Sequence, residues 1–186
     1  SSISGRSWVG PSDTTRRAAE TISQNPDLPF AVAAVLARQN ISDQEAKPYL
    51  NPQLRDLLPD PLRLRDMDKA ASRLIEAMLK KQRIAIFADY DVDGATSAAL
   101  LINWLKHFGH AATLYIPDRI EEGYGPNETA MQNLGQHHDL IICVDCGTLS
   151  HAPVKAAHPA EVIILDHHLG AEMLPQCCAV VNPNRQ

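Results

Sequence analysis

Apolar residues in the latter part of the chain come in short, unbroken runs: Ile84-Ala85-Ile86-Phe87-Ala88, Leu140-Ile141-Ile142-Cys143-Val144 and Val162-Ile163-Ile164-Leu165. Continuous rather than alternating runs read as strands buried on both faces, as in a parallel sheet covered by helices. The pattern predicts strands over 83–88, 111–116, 140–144 and 161–165, with a last short one at Ala179-Val180-Val181. Helical spacing over 94–108, 127–134 and near 150–157 fills the gaps. Strands and helices alternating at this interval imply an α/β fold with a doubly wound parallel sheet and right-handed crossovers.

The first third reads as a helical amino-terminal extension. Helices are expected over 14–23 and 30–39, the second rich in Ala, Val and Leu and therefore buried. Ser42-Asp43-Gln44-Glu45 fits a capping box before a third helix, which Pro48 keeps short or kinked. Residues 51–65 carry Pro52, Pro59 and Pro61 and read as an extended connector. Asp66 is placed to cap a stronger helix on which Met67, Ala70, Ala71, Leu74, Ile75 and Met78 recur at helical spacing. The opening residues 1–12, polar and containing Gly5, Gly10 and Pro11, are expected to be a loose tail.

The chemistry lies where the runs end. The first leads into Asp89-Tyr90-Asp91-Val92-Asp93-Gly94, the second into Asp145-Cys146-Gly147 and the third into Asp166-His167-His168. In open α/β sheets the active crevice lies at the carboxyl ends of the strands, so these acids and imidazoles converge on one rim. Like charges at that density need cations to neutralise them, and hard divalent ions prefer carboxylate oxygens. If the chain stays extended, Asp89, Asp91 and Asp93 point to one side. Gly94 then supplies a tight turn, and the helix behind it aims its N-terminus at the same place, suited to a phosphate. A calcium loop is excluded, because the bidentate Glu it needs after the glycine is missing. One imidazole of His167-His168 can ligate a metal while the other meets a phosphate, with Asp166 orienting an imidazole from behind. His137 and His138 follow no buried run and read as surface residues. Arg119, in Pro117-Asp118-Arg119-Ile120-Glu121-Glu122-Gly123-Tyr124-Gly125, has two readings: a bidentate phosphate contact, or an ion pair with Glu121 or Glu122.

Composition narrows the classes. Formal net charge is −5, so the chain does not advertise a nucleic-acid binder, although part of the excess is the acidic cluster itself. Most of the scattered basic residues, a set that includes Arg73, read as solvated helical surface. No apolar stretch approaches the ~20 residues of a membrane span. No charged-then-apolar leader opens the chain, and the expected compartment is the cytoplasm. Cys143 and Cys146 form a C-x-x-C, but residues three apart in a strand face opposite ways. With Cys177 and Cys178 they are expected to be packed, reduced thiols rather than a zinc or disulfide pair.

Taken in order, Asp89-Tyr90-Asp91-Val92-Asp93-Gly94-Ala95-Thr96-Ser97, Pro117-Asp118-Arg119 with Glu122-Gly123-Tyr124-Gly125, Val144-Asp145-Cys146-Gly147 and Asp166-His167-His168 resemble the motifs of the DHH phosphoesterases. The likeness is closest to their RecJ branch, the single-strand-specific 5′-to-3′ DNA exonucleases of recombination and repair. It extends to Leu58-Pro59-Asp60-Pro61, Asp66-Met67-Asp68-Lys69-Ala70 and Val180-Val181-Asn182-Pro183-Asn184-Arg185. The resemblance implies two divalent cations, Mn²⁺ or Mg²⁺, and two-metal hydrolysis of a phosphodiester. By that analogy Asp89 and Asp91 serve one ion, Asp93 and His167 the other, Asp145 bridges, and His168 contacts the scissile phosphate. Single-stranded DNA is the implied substrate of the whole protein, with a single-stranded-DNA-binding protein or a helicase as implied partners. Ala88 departs from the glycine often found there. Relatives also continue past the position of Gln186 with another acidic ligand, a second subdomain and a nucleic-acid-binding domain. The resemblance thus implies an amino-terminal piece, 66–186 being the first phosphoesterase subdomain, with little activity by itself. The alternatives are a DHH phosphodiesterase acting on oligonucleotides or cyclic dinucleotides, and a non-catalytic replication scaffold. Loss of motif acids would mark the scaffold, and none is lost.

Overall fold

The computed structural model describes residues 2–7, 9–24 and 28–185; Ser1 and Trp8 of the opening tail lie outside them, as does Gln186. The chain divides into two compact units, Ser1–Pro59 and Asp60–Gln186.

The first unit is helical: α1 (Asp13–Ile22), α2 (Phe30–Arg38), α3 (Asp43–Leu50) and the single turn α4 (Leu54–Leu57). Ser12 caps α1 by accepting from Thr15 N–H, and Ser42 and Glu45 form the reciprocal capping box of α3. Pro48 lies inside α3, which stops after two more residues. Ala19, Ile22, Ala33, Leu36, Ala37 and Ala46 form its core. Helix α2 is buried along one face only, since Phe30 and Val35 are exposed. The connector expected to be extended contains α4 and a 3-10 turn at Pro61–Arg63, whose start Asp60 caps by accepting from Leu62 N–H.

Among its described residues the second unit holds five strands and four α-helices in chain order α5 (Met67–Leu79), β1 (Ile84–Ala88), α6 (Val92–His107), β2 (Ala112–Tyr115), α7 (Glu128–His137), β3 (Leu140–Val144), α8 (His151–Ala156), β4 (Glu161–Leu165) and β5 (Ala179–Val181). All pairings are parallel and the spatial order is β2-β1-β3-β4-β5. Strand alternation splits the core into two layers. Ile84, Ile86, Ala88, Leu140, Ile142, Val144 and Ile163 pack with α5 and α6, while Ala85, Phe87, Ile141, Cys143, Val162 and Ile164 pack with α7 and α8. In this order the chain reverses its direction of winding between β1 and β3, and the crevice of such a sheet opens at that switch point.

Three local expectations are corrected. Arg73 is buried on α5, donating to Glu161 Oε2 at 2.7 Å and Gln82 Oε1 at 2.9 Å, so it ties the helix to the start of β4. Cys143 and Cys146 share one layer, because Asp145 (φ 63°) turns the chain between them. Burial pushes both thiols above their ordinary range, and the four cysteines are free. Asp66 does not cap α5 with its side chain. It sits in the left-handed region (φ 61°) and turns its carboxylate to the outer edge of β5.

That edge is closed by side chains. Asp66 Oδ2 accepts from Val180 N–H at 3.2 Å and from Arg185 Nη1 at 2.6 Å, and the same guanidinium donates to Val180 C=O. Both free backbone groups of Val180 are thereby satisfied, which blocks the addition of another strand there. The Arg185 hydrogen bond, the first cause, holds the Asp66 carboxyl below its usual value of 3.8. A carboxyl lowered in the fold stabilises above its unfolded pKa, and that stability is lost as pH falls through the folded one. Asp66→Ala should therefore cost about 1–2 kcal/mol at neutral pH, the scale of hydrogen bonds to a partly exposed charge. The gap to wild type, read by urea unfolding, should narrow as pH drops below about 4.

Gly94 owes its place to close approach rather than to a turn dihedral. A Cβ there would lie 2.3 Å from the Asp89 carbonyl oxygen, so the first turn of α6 rests directly on the end of β1. Gly94→Ala should cost about 3 kcal/mol in thermal or urea unfolding, the upper range for overpacking.

Candidate metal centre

Asp89 follows β1 and Asp145 follows β3, so both stand at the switch point on neighbouring strands. Both residues are buried, at 0% and 4% exposure. Their four carboxylate oxygens are shielded from solvent and, apart from the His167 imidazole 3.0 Å from Asp145 Oδ1, have no polar partner among the described residues. Buried carboxylates without donors are costly, and a cation is the natural compensation. Asp145 also occupies the left-handed region at φ 63°, a strained conformation of the kind found at functional sites. Burial first, then the nearby Asp91, raises its carboxyl from 3.8 to about 6.

Helix α6 starts two residues earlier than its spacing predicts, and this changes the roles of its acids. Asp91 is the N-cap, its Oδ1 accepting from Asp93 N–H at 2.9 Å and Gly94 N–H at 3.0 Å. The Gly94 N–H bond, the first cause, holds the Asp91 carboxyl below its ordinary value. The three acids therefore do not alternate along an extended strand, and two first-turn donors expected to face a phosphate are spent on Asp91. Asp93 lies in the first helical turn and is exposed, its Oδ2 4.0 Å from His167 Nε2.

Two groups of ligand atoms lie within 4.8 Å of one another: Asp89, Asp91 and Asp145, and Asp145, His167 and His168. Asp145 belongs to both, with Oδ1 3.0 Å from His167 Nε2. Asp93 stands beside the second group without joining it. These oxygen and imidazole donors suit Mn²⁺ or Mg²⁺. With the orphaned oxygens of Asp89 and Asp145, they make a set able to hold divalent metal.

The imidazoles are held from behind. Asp166 Oδ1 accepts from His167 N–H at 2.7 Å and His168 N–H at 3.2 Å, and lies 2.8 Å from His168 Nδ1; Oδ2 accepts from Thr148 N–H at 3.0 Å. Burial alone would raise the Asp166 carboxyl, but the bonds from Thr148 and His168 outweigh it and leave the value at about 2. That permanent charge, through its hydrogen bond, raises the His168 imidazole above its usual 6.5.

Tyr124 is a site residue to which its motif assigned no role. Its hydroxyl donates to Asp145 C=O at 3.2 Å and lies 3.1 Å from His168 Nδ1. Its loop is built by Glu122, which accepts from Tyr115 Oη, Asp118 N–H and Asn127 Nδ2. Glu122 is thus engaged elsewhere, and the ion pair considered for Arg119 is not formed. The exposed Arg119 guanidinium lies 5.2 Å over the Tyr90 ring instead, which leaves its donors on the rim. His137 is exposed, whereas His138 is half-buried and joins α7 to β2 through Thr113 Oγ1 at 2.9 Å. No helix among the described residues is long and apolar enough to cross a membrane.

Comparison with known proteins places the chain in a family. The DHH family N-terminal domain matches residues 83–186. The single-stranded-DNA-specific exonuclease RecJ of Bacillus subtilis is 35% identical over 158 residues, covering 83% of this chain and 20% of its own. The RecJ of Dickeya dadantii is 36% identical over 174 residues, covering 91% of this chain and 30% of its own. The crystal structure of Thermus thermophilus RecJ in complex with Mn²⁺ matches with a TM-score of 0.65 at 26% identity, over 94% of this chain and 24% of that one. A Mg²⁺ complex of RecJ from that organism has also been solved. This chain spans between a fifth and a third of the length of these curated relatives. With its ordered acids and histidines at one switch point and a match over more than half its length, the chain belongs to the DHH family, in the RecJ branch.

Proposed function

We propose that this chain is the metal-binding part of a single-stranded-DNA exonuclease that hydrolyses phosphodiesters in the 5′-to-3′ direction. The observation that carries the reading is the pair of buried carboxylates at the switch point of a RecJ-like sheet, Asp89 without a partner among the described residues and Asp145 met only by the His167 imidazole.

Asp89, Asp91, Asp145 and His167 would hold two divalent ions, with Asp93 at the open side and Asp145 common to both. Such ions supply an activated water and charge neutralisation for an in-line displacement at phosphorus. The residues around them hold and orient. The Gly94 N–H bond lowers the Asp91 carboxyl and so favours its ionised, ligating form. Asp166 keeps His168 protonated over more of the neutral range, which suits a contact to a non-bridging phosphate oxygen. Tyr124 Oη, 3.1 Å from the Nδ1 that Asp166 also holds, further restrains the His168 ring. Arg119, without an acidic partner among the described residues and set over Tyr90, is placed to steer the backbone of an incoming strand. The whole enzyme's substrate range would distinguish a DNA exonuclease from a phosphodiesterase of short or cyclic oligonucleotides.

Two measurements test the reading. Added Mn²⁺ should raise the melting temperature of this chain by about 5–10 °C at a hundredfold excess over Kd. Asp145→Asn should remove that gain and, without metal, melt a few degrees above wild type. Because the Asp145 carboxyl is raised in the fold, ionising it costs stability as pH climbs from about 4 to about 6, on the order of 2 kcal/mol by neutral pH. Asparagine removes that charge and tolerates the left-handed backbone. A Mn²⁺ response unchanged in Asp145→Asn would refute the site. In a protein of RecJ length carrying this sequence, 5′-labelled single-stranded DNA should lose its label first, and Asp145→Asn should abolish the digestion. Equal digestion of blunt duplex, or digestion confined to dinucleotides, would overturn the substrate.

A further inference from the structure

The chain that leaves β5 runs Asn182-Pro183-Asn184-Arg185 beneath the His167-His168 pair. Asn182 is 2% exposed, and every polar atom of its amide is used. Its Nδ2 donates to His168 C=O at 2.9 Å and to Thr148 Oγ1 at 3.0 Å, and its Oδ1 accepts from Asn184 N–H at 2.8 Å. Asn184 Nδ2 donates to His167 C=O. Asp166 takes both N–H groups of the same dipeptide. All four backbone polar groups of His167 and His168 are therefore bonded to side chains: two to the Asp166 carboxylate and two to amides.

We propose that Asn182 and Asn184 are positioning residues that set the two imidazoles over the metal centre; the inference rests on the proposed role of His167 and His168 there. Only a donor can hold a carbonyl, so an amide is required where a carboxylate of the same shape would repel. Pro183 fixes φ between the two amides and lowers the freedom lost on locking them. Arg185, the next residue, is anchored on Asp66 at the sheet edge, which fixes the far end of the strap. Mispositioning an imidazole by a fraction of an ångström weakens a ligand without unfolding the sheet, as partners behind metal ligands generally show.

The test uses the 186-residue chain with Asn184→Ala, on the exposed side, and the isosteric Asn182→Asp. The metal-free readout is the imidazole resonances of His167 and His168 by NMR, and the second is Mn²⁺ affinity by calorimetry. Asn184→Ala should melt within about 2 °C of wild type, as exposed substitutions do. Both variants should shift or broaden the two ring signals and weaken Mn²⁺ binding about tenfold. Ring signals superimposable on wild type in folded variants would overturn the proposal. If Asn182→Asp does not fold, Asn184→Ala decides alone. A wild-type chain that binds no Mn²⁺ would sink the metal-centre reading, while the ring signals still decide the positioning role.

Discussion

Two carboxylates at the ends of adjacent central strands, both out of contact with water and neither accepting a backbone hydrogen bond from the described residues, form the constraint around which this domain is arranged. Asp89 and Asp145 repel one another and are desolvated, and a fold that served stability alone would not keep them. The sheet tolerates the arrangement because its two core layers meet above and below β1 and β3, where Phe87, Ile142 and Cys143 are fully buried. Stability made in the layers offsets strain concentrated at the rim, including the left-handed backbone of Asp145.

The acids of the rim divide into two kinds by what they bond. Asp91 and Asp166 accept backbone N–H groups, which lowers both and commits them to organising the loops they begin. Asp89 and Asp145 accept no backbone N–H, Asp145 meeting only the His167 imidazole, and both remain open to a cation. Four-oxygen clusters cannot be read as equivalent ligands on sequence order alone, because a capping carboxylate keeps only part of its coordinating capacity. The same division holds for the histidines: His168 is clasped by Asp166 and Tyr124, whereas His167 Nε2 faces Asp145.

Loops rather than strands finish the site, and each is fixed by a buried or doubly bonded polar group. Glu122 builds the loop that carries Tyr124 and Arg119, Asn182 and Asn184 strap the histidine pair, and Asp66 with Arg185 closes the sheet edge from which that strap departs. Strand ends supply rigidity to about an ångström, and these side chains supply the remainder.

The doubly wound sheet was legible from the chain because continuous apolar runs and their spacing are local, and burial on both faces leaves no other use for them. Asp89, Asp145 and Asp166-His167-His168 could be singled out for the same reason: each follows such a run directly. What local pattern could not supply was the bonding that crosses the fold. Asp66 resembles a helix cap until Val180 and Arg185, more than a hundred residues away, claim its carboxylate. Arg73 resembles solvated surface until Glu161 meets it. The Asp-x-Asp-x-Asp run alternates on paper, but packing Gly94 against the Asp89 carbonyl starts the helix early and turns Asp91 into its cap. Hydrophobic periodicity records which face is buried. Which polar group meets which is decided only when the tertiary structure brings distant backbone donors and acceptors together and each must find a partner.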